Sequence, residues 1–265
     1  MFWFMIVKGN WWESPVIAKK VLILGGTGEA ANLAKKLFAE TSENVEIITS
    51  FAGRTKNPPA LPGRVISGGF GGIDGLKRFI VDEAINIVVN ATHPFAATIS
   101  ENAYVACMVT NTLSITLVRP KWTLPPSARW VEVDDMDAAS AAIDTFAKRP
   151  FLTIGSGGLG AFAHLHDMWF LVRVIEQSEA PLPFTNYQIV TGRPPYDIAD
   201  ERQLISEHQI DCLVTKHSGG SATEGKILAA LEANIPIILI RRPLRLPGHW
   251  TDTVEECADW VQKQL

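Results

Sequence analysis

The sequence is poor in the residues and patterns that several common protein classes require. Its three cysteines, Cys107, Cys212 and Cys257, lie far apart, so neither a disulfide framework nor a Cys-x-x-Cys metal site is available. The formal net charge is -4 and the pI is about 5.9. This charge argues against nonspecific nucleic-acid binding, because such binding needs a basic surface that releases counterions. We therefore expect no metal and no nucleic-acid partner, and a reducing cytoplasm is the simplest setting for the thiols.

The N-terminal segment lacks the pattern of a secretion signal or a membrane span. Its apolar run covers only the seven residues before Lys8, with no positive segment ahead of it and no small-residue cleavage site. We therefore expect residues 1–18 to form an extension outside the fold, and we expect no membrane partner.

Motifs of two rival enzyme classes are also missing. A short-chain dehydrogenase would need Tyr-x-x-x-Lys, yet Tyr104, Tyr187 and Tyr196 are each followed four positions later by a residue other than lysine. A hydrolase with a nucleophile elbow would need Gly-x-Ser-x-Gly, and residues 155–158 read Gly-Ser-Gly-Gly. Neither class fits the sequence.

What is present is a regular alternation of strand and helix patterns in a chain that is 47% hydrophobic and 20% charged. This alternation predicts an α/β protein with mainly parallel sheets. A proline-rich segment, residues 119–126, predicts a boundary between one domain over 19–119 and a second over 120–265. Both halves carry glycine turns after strands, so we expect two Rossmann-like domains that face each other across a cleft. A single large doubly wound sheet is the alternative.

The first glycine turn follows the apolar run of residues 21–24 and precedes a helix pattern. Gly26, Gly28 and Ala31 match the G-x-G-x-x-G/A fingerprint. In that fingerprint Gly26 makes the tight turn and Gly28 lets the backbone approach a pyrophosphate at the helix N-terminus. A glycine-rich turn that binds no nucleotide is the alternative interpretation.

The end of the second predicted strand indicates which dinucleotide would bind. An NAD enzyme places Asp or Glu there to bond the ribose 2′-hydroxyl, yet residues 50–55 contain no acid. The hydroxyls of Ser50 and Thr55 and the guanidinium of Arg54 would instead accommodate a 2′-phosphate. NADPH is therefore favoured, although Arg54 as an ordinary surface charge remains the alternative.

Two further loops of the first half contain more glycine or polar residues than a connection needs. Residues 67–72 include four glycines, which usually means close backbone approach or unusual dihedral angles. Thr92 and His93 follow a buried strand at the edge where a nicotinamide would lie, and for His93 a packing role is an equal alternative. The candidate cofactor-binding residues are Gly26, Thr27, Gly28, Glu29, Ser50, Gly53, Arg54, Thr55, Gly71, Gly72, Thr92 and His93.

Six short motifs follow one another between about residues 20 and 245. They are GGTGEA, SFAGRT, SGGFGG, ATHPFA followed by Ile99, Ser100, Asn102 and Ala103, RPKW, and KHSGG with Glu224, Gly225 and Lys226. In order and spacing they resemble the precorrin-6A reductase family of cobalamin biosynthesis. The usual KNSGG of that family reads KHSGG here, so His217 stands in place of an asparagine.

The resemblance implies an NADPH-dependent oxidoreductase that acts on a CH-CH bond and converts precorrin-6A to precorrin-6B. It also implies two Rossmann-like domains with a possible exchange of strands between them. A cobalt-precorrin-6A reductase and a noncatalytic NADP(H)-sensing protein are the alternatives. We expect a monomer or a weak homo-oligomer in the cytoplasm.

A tetrapyrrole with many carboxylates would account for basic residues at strand ends in an acidic protein. Lys121, Arg241 and Arg242 lie at such positions, and the turn at residues 218–220 offers backbone N–H groups. The expected substrate-binding residues are Phe95, Arg119, Lys216, Ser218, Gly219 and Gly220. His93 and Lys216 are the catalytic candidates, and no residue identifies itself as the proton donor.

Overall fold

The computed structural model describes residues 18–53, 60–176 and 181–265, and these ranges contain twelve strands and seven α-helices. The strands are β1 (Lys19–Leu24), β2 (Val45–Phe51), β3 (Arg64–Ser67), β4 (Ile87–Asn90), β5 (Leu113–Leu117), β6 (Trp130–Val133), β7 (Pro150–Thr153), β8 (Trp169–Val174), β9 (Asn186–Thr191), β10 (Cys212–Lys216), β11 (Ile237–Ile240) and β12 (His249–Thr251). The helices are α1 (Gly28–Glu40), α2 (Gly72–Asp82), α3 (Ala97–Thr110), α4 (Met136–Asp144), α5 (Ile198–Glu207), α6 (Gly225–Glu232) and α7 (Val254–Gln264). Short 3-10 helices cover Leu159–Phe162 and Ser221–Thr223.

The chain divides into two compact units, each built on one six-stranded sheet. Unit 1 combines the described residues up to Val118 with Leu246–Leu265, and unit 2 is Arg119–Arg245. All described strand pairs in both sheets are parallel. The predicted two-domain α/β fold with parallel sheets is confirmed, and the alternative of one large sheet is wrong.

In unit 1 the strand order is β3-β2-β1-β4-β5-β12. The last four residues of β1 and all of β4 are buried, as expected for parallel strands covered on both faces. Helices α1 and α7 supply apolar side chains to the core on one face, whereas α2 and α3 supply the core on the other. Unit 1 is therefore a doubly wound sheet with the order of a Rossmann domain.

In unit 2 the strand order is β9-β8-β7-β10-β11-β6, which repeats the order of unit 1. Helices α5 and α6 bury Ile205, Ile227 and Ala230 against β7 and β10. Helix α4 packs against β11 and against the first 3-10 helix. The second half of the chain therefore builds a second Rossmann-like sheet.

The sixth strand of each sheet does not follow the order in which the other five occur along the chain. Strand β12, from the C-terminal segment, pairs with β5, and Val118 N–H donates to the Thr251 carbonyl over 3.0 Å. Strand β6 directly follows the five strands of unit 1, yet it pairs with β11 in unit 2. The two sixth strands are thus exchanged between the sheets, the possibility that the resemblance implied.

This exchange changes the extent of the predicted second domain. The expected boundary after residue 119 differs by one residue from the division after Val118, but the second unit ends at Arg245 rather than at residue 265. The reason is that β12 completes the first sheet while α7 buries Cys257, Ala258 and Val261 in the same core as α1. Of the predicted N-terminal extension, residues 1–17 lie outside the described residues.

Further findings bear on the protein classes considered at the outset. The three cysteines are buried and carry no disulfide. Within the described ranges, no group of three His, Cys, Asp or Glu side chains is placed to hold a metal ion. Among the helices described here, none combines the length and the apolar character needed to cross a membrane.

Candidate functional sites in the two units

The loops that follow β1, β2, β3 and β4 lie at one edge of the first sheet, because all four strands are parallel. Strand β1 lies between β2 and β4, where the order of the strands reverses direction. In open α/β sheets this reversal is the place where ligands bind, at the carboxyl ends of the strands. The structure therefore brings the described candidate cofactor residues of unit 1 to the same edge.

The turn after β1 has the geometry that the fingerprint predicts. Gly26 has a φ of +106°, which favours glycine, and a Cβ at either Gly26 or Gly28 would meet no atom within 4 Å. Thr27 caps α1: its Oγ1 accepts from the Ala30 N–H over 3.1 Å. Glu29 lies in the first turn, where its backbone N–H, rather than its carboxylate, suits a phosphate. The open space beside this helix N-terminus fits a pyrophosphate.

Gly25, which the fingerprint does not include, is the glycine that β1 needs for packing. A Cβ there would lie 3.2 Å from the Ser50 carbonyl oxygen and 3.3 Å from Thr49 Cγ2. The Gly25 N–H donates to the same Ser50 oxygen over 2.8 Å. The only sequence signal for this role is that Gly25 and Gly26 are adjacent.

The candidate 2′-phosphate residues are only partly covered by the structure. Ser50 is buried within β2, and Gly53 is exposed with a φ of +73°. A Cβ at Gly53 would lie 3.4 Å from Gly68 Cα, so the loops after β2 and β3 pass close together. Arg54 and Thr55 lie outside the described residues.

The glycine-rich loop after β3 turns through three residues with positive φ, Gly68, Gly71 and Gly72. Gly71 precedes α2 without a side-chain cap, and both Gly71 and Gly72 face open space. Gly75 was not among the candidates, yet a Cβ there would overlap the Phe70 carbonyl oxygen. A glycine inside a helix pattern was the available signal.

The loop after β4 is held by Asn90, a residue that the sequence did not single out. Its Nδ2 donates to Ser100 Oγ over 3.0 Å, and its Oδ1 accepts from Thr92 Oγ1 over 2.8 Å. His93 Nδ1 accepts from the Phe95 N–H over 3.2 Å, so a neutral His93 ring carries its proton on Nε2. Phe95 therefore belongs to unit 1, beside His93, whereas the other predicted substrate residues belong to unit 2.

In unit 2 the turn after β10 is held by Arg242. Its guanidinium donates to the carbonyl oxygens of His217 (2.8 Å), Ser218 (2.8 Å), Arg119 (2.9 Å) and Pro120 (3.2 Å). Burial, and then the positive charges of Arg119 and Arg245, lower the pKa of Arg242 to about 10. The sequence offered Arg242 as a ligand for a polyanion, but its donors bind the backbone of this turn.

The glycines of the same turn allow the segment before β6 to approach it closely. A Cβ at Gly219 would overlap the Pro120 carbonyl oxygen, and one at Gly220 would clash with the side chain of Arg119. Arg119 Nε donates to the Ser218 carbonyl over 3.0 Å, and Ser218 and Gly219 are buried. The structure therefore brings Arg119, Lys216 and the turn together, with close packing as one reason for the glycines.

Lys226 is a buried cation that the sequence did not offer as a site residue. It is 5% exposed, and its Nζ lies 5.6 Å from the centre of the Trp122 ring. Burial lowers its pKa to about 7, and the positive charge of Arg173 adds to this, whereas the buried carboxylate of Glu201 opposes it. Lys226 can therefore change its charge near neutral pH. The sequence signal for Lys226 was its place in the last of the six motifs, with Glu224 and Gly225.

Unit 2 has its own glycine turn at the position that corresponds to the turn after β1. It follows β7, but it leads into the 3-10 helix Leu159–Phe162 rather than into an α-helix. A Cβ at Gly158 would lie 2.9 Å from Met136 Cγ, so this turn is packed against α4. It lacks the α-helix N-terminus that stabilises a pyrophosphate.

Comparison with known proteins adds a family to this geometry. Residues 20–262 match the family described as Precorrin-6x reductase CbiJ/CobK. The chain is 41% identical over 245 residues to a Precorrin-6A reductase of Rhodococcus erythropolis, covering 91% of this chain and 97% of that protein. It is 27% identical over 257 residues to a Cobalt-precorrin-6A reductase of a Synechocystis strain, covering 92% and 97%. A solved structure of CobK precorrin-6A reductase superposes with a TM-score of 0.87 at 36% identity, covering 93% of this chain and 97% of that one.

Proposed function

Because the chain belongs to the precorrin-6x reductase family CbiJ/CobK, we propose that it reduces one C=C bond of precorrin-6A with NADPH, giving precorrin-6B. The main support for dinucleotide binding is the open turn at Gly26 and Gly28, which leads into α1, the helix that Thr27 caps. Identities of 36–41% to precorrin-6A reductases, against 25–28% to cobalt-precorrin-6A reductases, favour the cobalt-free substrate.

The dinucleotide belongs to unit 1 in this proposal. Of the two corresponding turns, the one after β1 opens onto an α-helix N-terminus, and the one after β7 does not. Backbone N–H groups at Gly28 and Glu29 would hold the pyrophosphate, since the first residues of a helix have donors without helical partners. When bound, NADPH supplies a hydride, and the protein supplies orientation and electrostatics.

NADPH rather than NADH is proposed from the loop after β2. Residues 50–55 contain no acid to bind a ribose 2′-hydroxyl, and Arg54 offers a guanidinium for a 2′-phosphate. Glu46 is an acid of β2 itself, but it lies near the opposite end of the strand, where Lys20 Nζ approaches it to 3.4 Å. Neither the loop at residues 50–55 nor Glu46 therefore provides an acid that could bind the ribose 2′-hydroxyl of NADH.

His93 is the catalytic candidate of unit 1 under this proposal. The Phe95 N–H donates to Nδ1, so a neutral ring carries its N–H donor at Nε2, and the residue lies at the carboxyl edge of the sheet. Such a donor can orient a nicotinamide amide or an acceptor oxygen without taking part in hydride transfer. Phe95, whose ring centre lies 5.9 Å from that of His93, can pack against the tetrapyrrole at the same edge.

Arg119 and Lys216 are the proposed ligands of the substrate carboxylates in unit 2. Both side chains lie near Lys226, whose pKa they help to lower, so this part of unit 2 concentrates positive charge. The turn at Ser218, Gly219 and Gly220 adds backbone groups, although its packing limits which of them a ligand can reach.

The direct test is to incubate the protein with NADPH and precorrin-6A, with and without cobalt in the ring, and to follow nicotinamide absorbance and the tetrapyrrole spectrum. We expect one NADPH to be oxidised per precorrin-6A reduced, with the cobalt-free ring preferred. Tight NADPH binding without turnover on either substrate would favour the sensing protein instead. Faster turnover of the cobalt form would reverse the choice of substrate.

The cofactor preference has its own test in Arg54→Ala. Loss of a charge-assisted hydrogen bond, about 1.5–3 kcal/mol, would lower the preference for NADPH over NADH by roughly 10- to 100-fold. Arg64→Ala is a matched control, because Arg64 begins β3 at the opposite edge and pairs with Glu83 over 2.8 Å. An unchanged preference in Arg54→Ala would show that Arg54 is not the phosphate ligand.

Lys216→Ala separates the reductase from a sensing protein. Removal of one carboxylate ligand, worth about 1.5 kcal/mol, would raise the KM for precorrin-6A roughly tenfold and leave NADPH affinity unchanged. Lys121→Ala is the control, since Lys121 is an exposed lysine whose Nζ binds Glu132 over 2.8 Å. Equal effects of the two substitutions would argue against a role for Lys216.

A further inference from the structure

His217 lies in the turn after β10 and is only 6% exposed. Its Nδ1 lies 2.8 Å from Glu132 Oε1, and its Nε2 lies 3.0 Å from the carbonyl oxygen of Trp122. The imidazole also stacks on the Trp122 indole, with 6.0 Å between ring centres. Both ring nitrogens are therefore engaged inside the unit.

Both partners of the ring are hydrogen-bond acceptors. Burial opposes ionisation of Glu132, but hydrogen bonds from Lys121, His217 and Arg241 outweigh it and hold its pKa at about 2. A carbonyl oxygen likewise has no proton to donate. A neutral imidazole donates from one nitrogen only, so one lone pair would face an acceptor at 3.0 Å or less. The doubly protonated ring satisfies both contacts.

The contacts of His217 join three parts of unit 2. Glu132 lies on β6, the exchanged strand, and Trp122 lies in the segment before it. The backbone of His217 is held as well, because its carbonyl oxygen accepts from Arg242 Nε over 2.8 Å and its N–H donates to the Ile240 carbonyl over 2.9 Å. Side chain and backbone together determine how the turn leaves β10.

We propose that His217 is a positioning residue that is protonated on both ring nitrogens and holds the turn at residues 216–220 in the conformation that presents Lys216 to an anionic substrate. The proposal rests on the proposed function, in which Lys216 meets a substrate carboxylate. His217 itself does not touch the substrate, because its ring is buried between Glu132 and Trp122.

The charges around the ring agree with a cation that is compensated locally. Glu132 is the carboxylate in contact with it, 2.8 Å from Nδ1. The titratable and charged groups that face the ring and its two partners are Glu132 from β6, Lys121 from the segment before it, Arg241 and Arg242 from the segment after β11, and Lys226 from α6.

Three substitutions separate the two ring contacts in the full-length protein. In His217→Asn the amide nitrogen can take the place of Nδ1 and donate to Glu132. In His217→Gln it can take the place of Nε2 and donate to Trp122, whereas His217→Leu makes neither bond. Arg241→Ala is the control, since it removes another partner of Glu132 and leaves the ring contacts in place.

We expect His217→Leu to raise the KM for precorrin-6A about tenfold with little change in kcat or in the Kd for NADPH, because a misplaced Lys216 would lose one charged hydrogen bond to the substrate. We expect His217→Asn and His217→Gln to have KM values between those of His217→Leu and the wild type. We also expect the ¹⁵N signals of the wild-type ring to show protons on both nitrogens at pH 7. These signals need only the folded wild-type protein, so poor folding of the Leu variant leaves the test intact.

A neutral wild-type ring at pH 7 would overturn the proposal, and so would an unchanged KM in folded Leu, Asn and Gln variants. A uniform loss of thermal stability without a shift in KM would reduce His217 to a purely structural residue and would also overturn it. Failure of the proposed function is distinguishable, because the wild-type protein would then show no turnover of precorrin-6A.

Discussion

The hydroxyl of Thr27 donates a 2.7 Å hydrogen bond to the carbonyl oxygen of Ala91. Thr27 Oγ1 also accepts from the Ala30 N–H, so one side chain both caps α1 and connects the turn after β1 to the end of β4. These are the two strands between which the sheet order reverses. Thr27 therefore holds the first residues of α1 in register with the loop that carries His93.

Thr27→Val keeps the shape of the side chain but removes both hydrogen bonds. We expect it to lower the free energy of unfolding by about 1–2 kcal/mol, as loss of an N-cap does. NADPH binding should weaken as well, because the N–H groups at the helix start lose their alignment. Thr27→Ser is the matched control and should retain both properties. Urea unfolding and NADPH titration measure them, and equal behaviour of Val and Ser would contradict this role.

Gly28→Ala tests the open space at the helix N-terminus. The added Cβ meets no protein atom within 4 Å, and alanine favours a helix over glycine, so the fold should be retained. A methyl group at the phosphate approach should cost about 1–3 kcal/mol of NADPH binding, as overpacking costs in protein interiors. Gly157→Ala adds an equally unobstructed Cβ to the corresponding turn of unit 2. If it weakens NADPH binding as much, the dinucleotide has been assigned to the wrong unit.

Arg242→Met should destabilise unit 2 more than Arg241→Met does. Arg242 donates to four backbone carbonyls, and several of these acceptors would lose a partner while partly buried, which predicts a loss of about 2–4 kcal/mol. Arg241 is an exposed residue that pairs with Glu132 and Asp134, so its removal should cost under about 1 kcal/mol. Urea unfolding of the two variants, monitored by tryptophan fluorescence, makes the comparison. Equal losses would mean that the Arg242 contacts add nothing to stability.

Lys226 should make stability depend on pH. Below about pH 7 the folded and unfolded states are both protonated at Lys226, and the folded state bears the cost of a buried ammonium group. Between about pH 7 and 10.5, the ordinary pKa of a lysine side chain, the unfolded state binds more protons, so the free energy of unfolding rises with pH. The slope is on the order of 1.4 kcal/mol per pH unit.

Lys226→Met removes this contribution. The variant should be more stable than the wild type at pH 6, and the difference should shrink as the pH rises to 10. Urea unfolding at several pH values measures it, with Lys263→Met, at an exposed lysine of α7, as the control. Parallel stability profiles for the wild type and Lys226→Met would mean that Lys226 remains charged in the folded protein.

The features that were predictable from the sequence are local ones. The glycine turn at residues 25–28 and the position of Thr92 and His93 follow from strand and helix patterns together with the rule that ligands bind at the carboxyl ends of strands. Gly219 and Gly220 show the limit of this reasoning. Glycine is needed at these two positions because Pro120 and Arg119 pack against them. Both of these residues are distant in sequence, so no local pattern reveals the need.

The same limit applies to charged side chains. Lys226 and Arg242 look like ordinary basic residues at element ends. The role of Lys226 is decided by its burial, and the role of Arg242 by its hydrogen bonds to four carbonyl oxygens. Pairing between Glu132 and His217 joins residues 85 positions apart. Such pairs depend on which strands become neighbours, and β6 lies beside β11 only because of the exchange.

The exchanged strands have a consequence for the order of events on the ribosome. Strand β5 is synthesised before unit 2, but the strand that covers its outer edge, β12, is synthesised after it. Until then the first sheet presents an unpaired edge, which is a hazard for association with other chains. Unit 1 can therefore complete its sheet only after the whole of unit 2 has been translated.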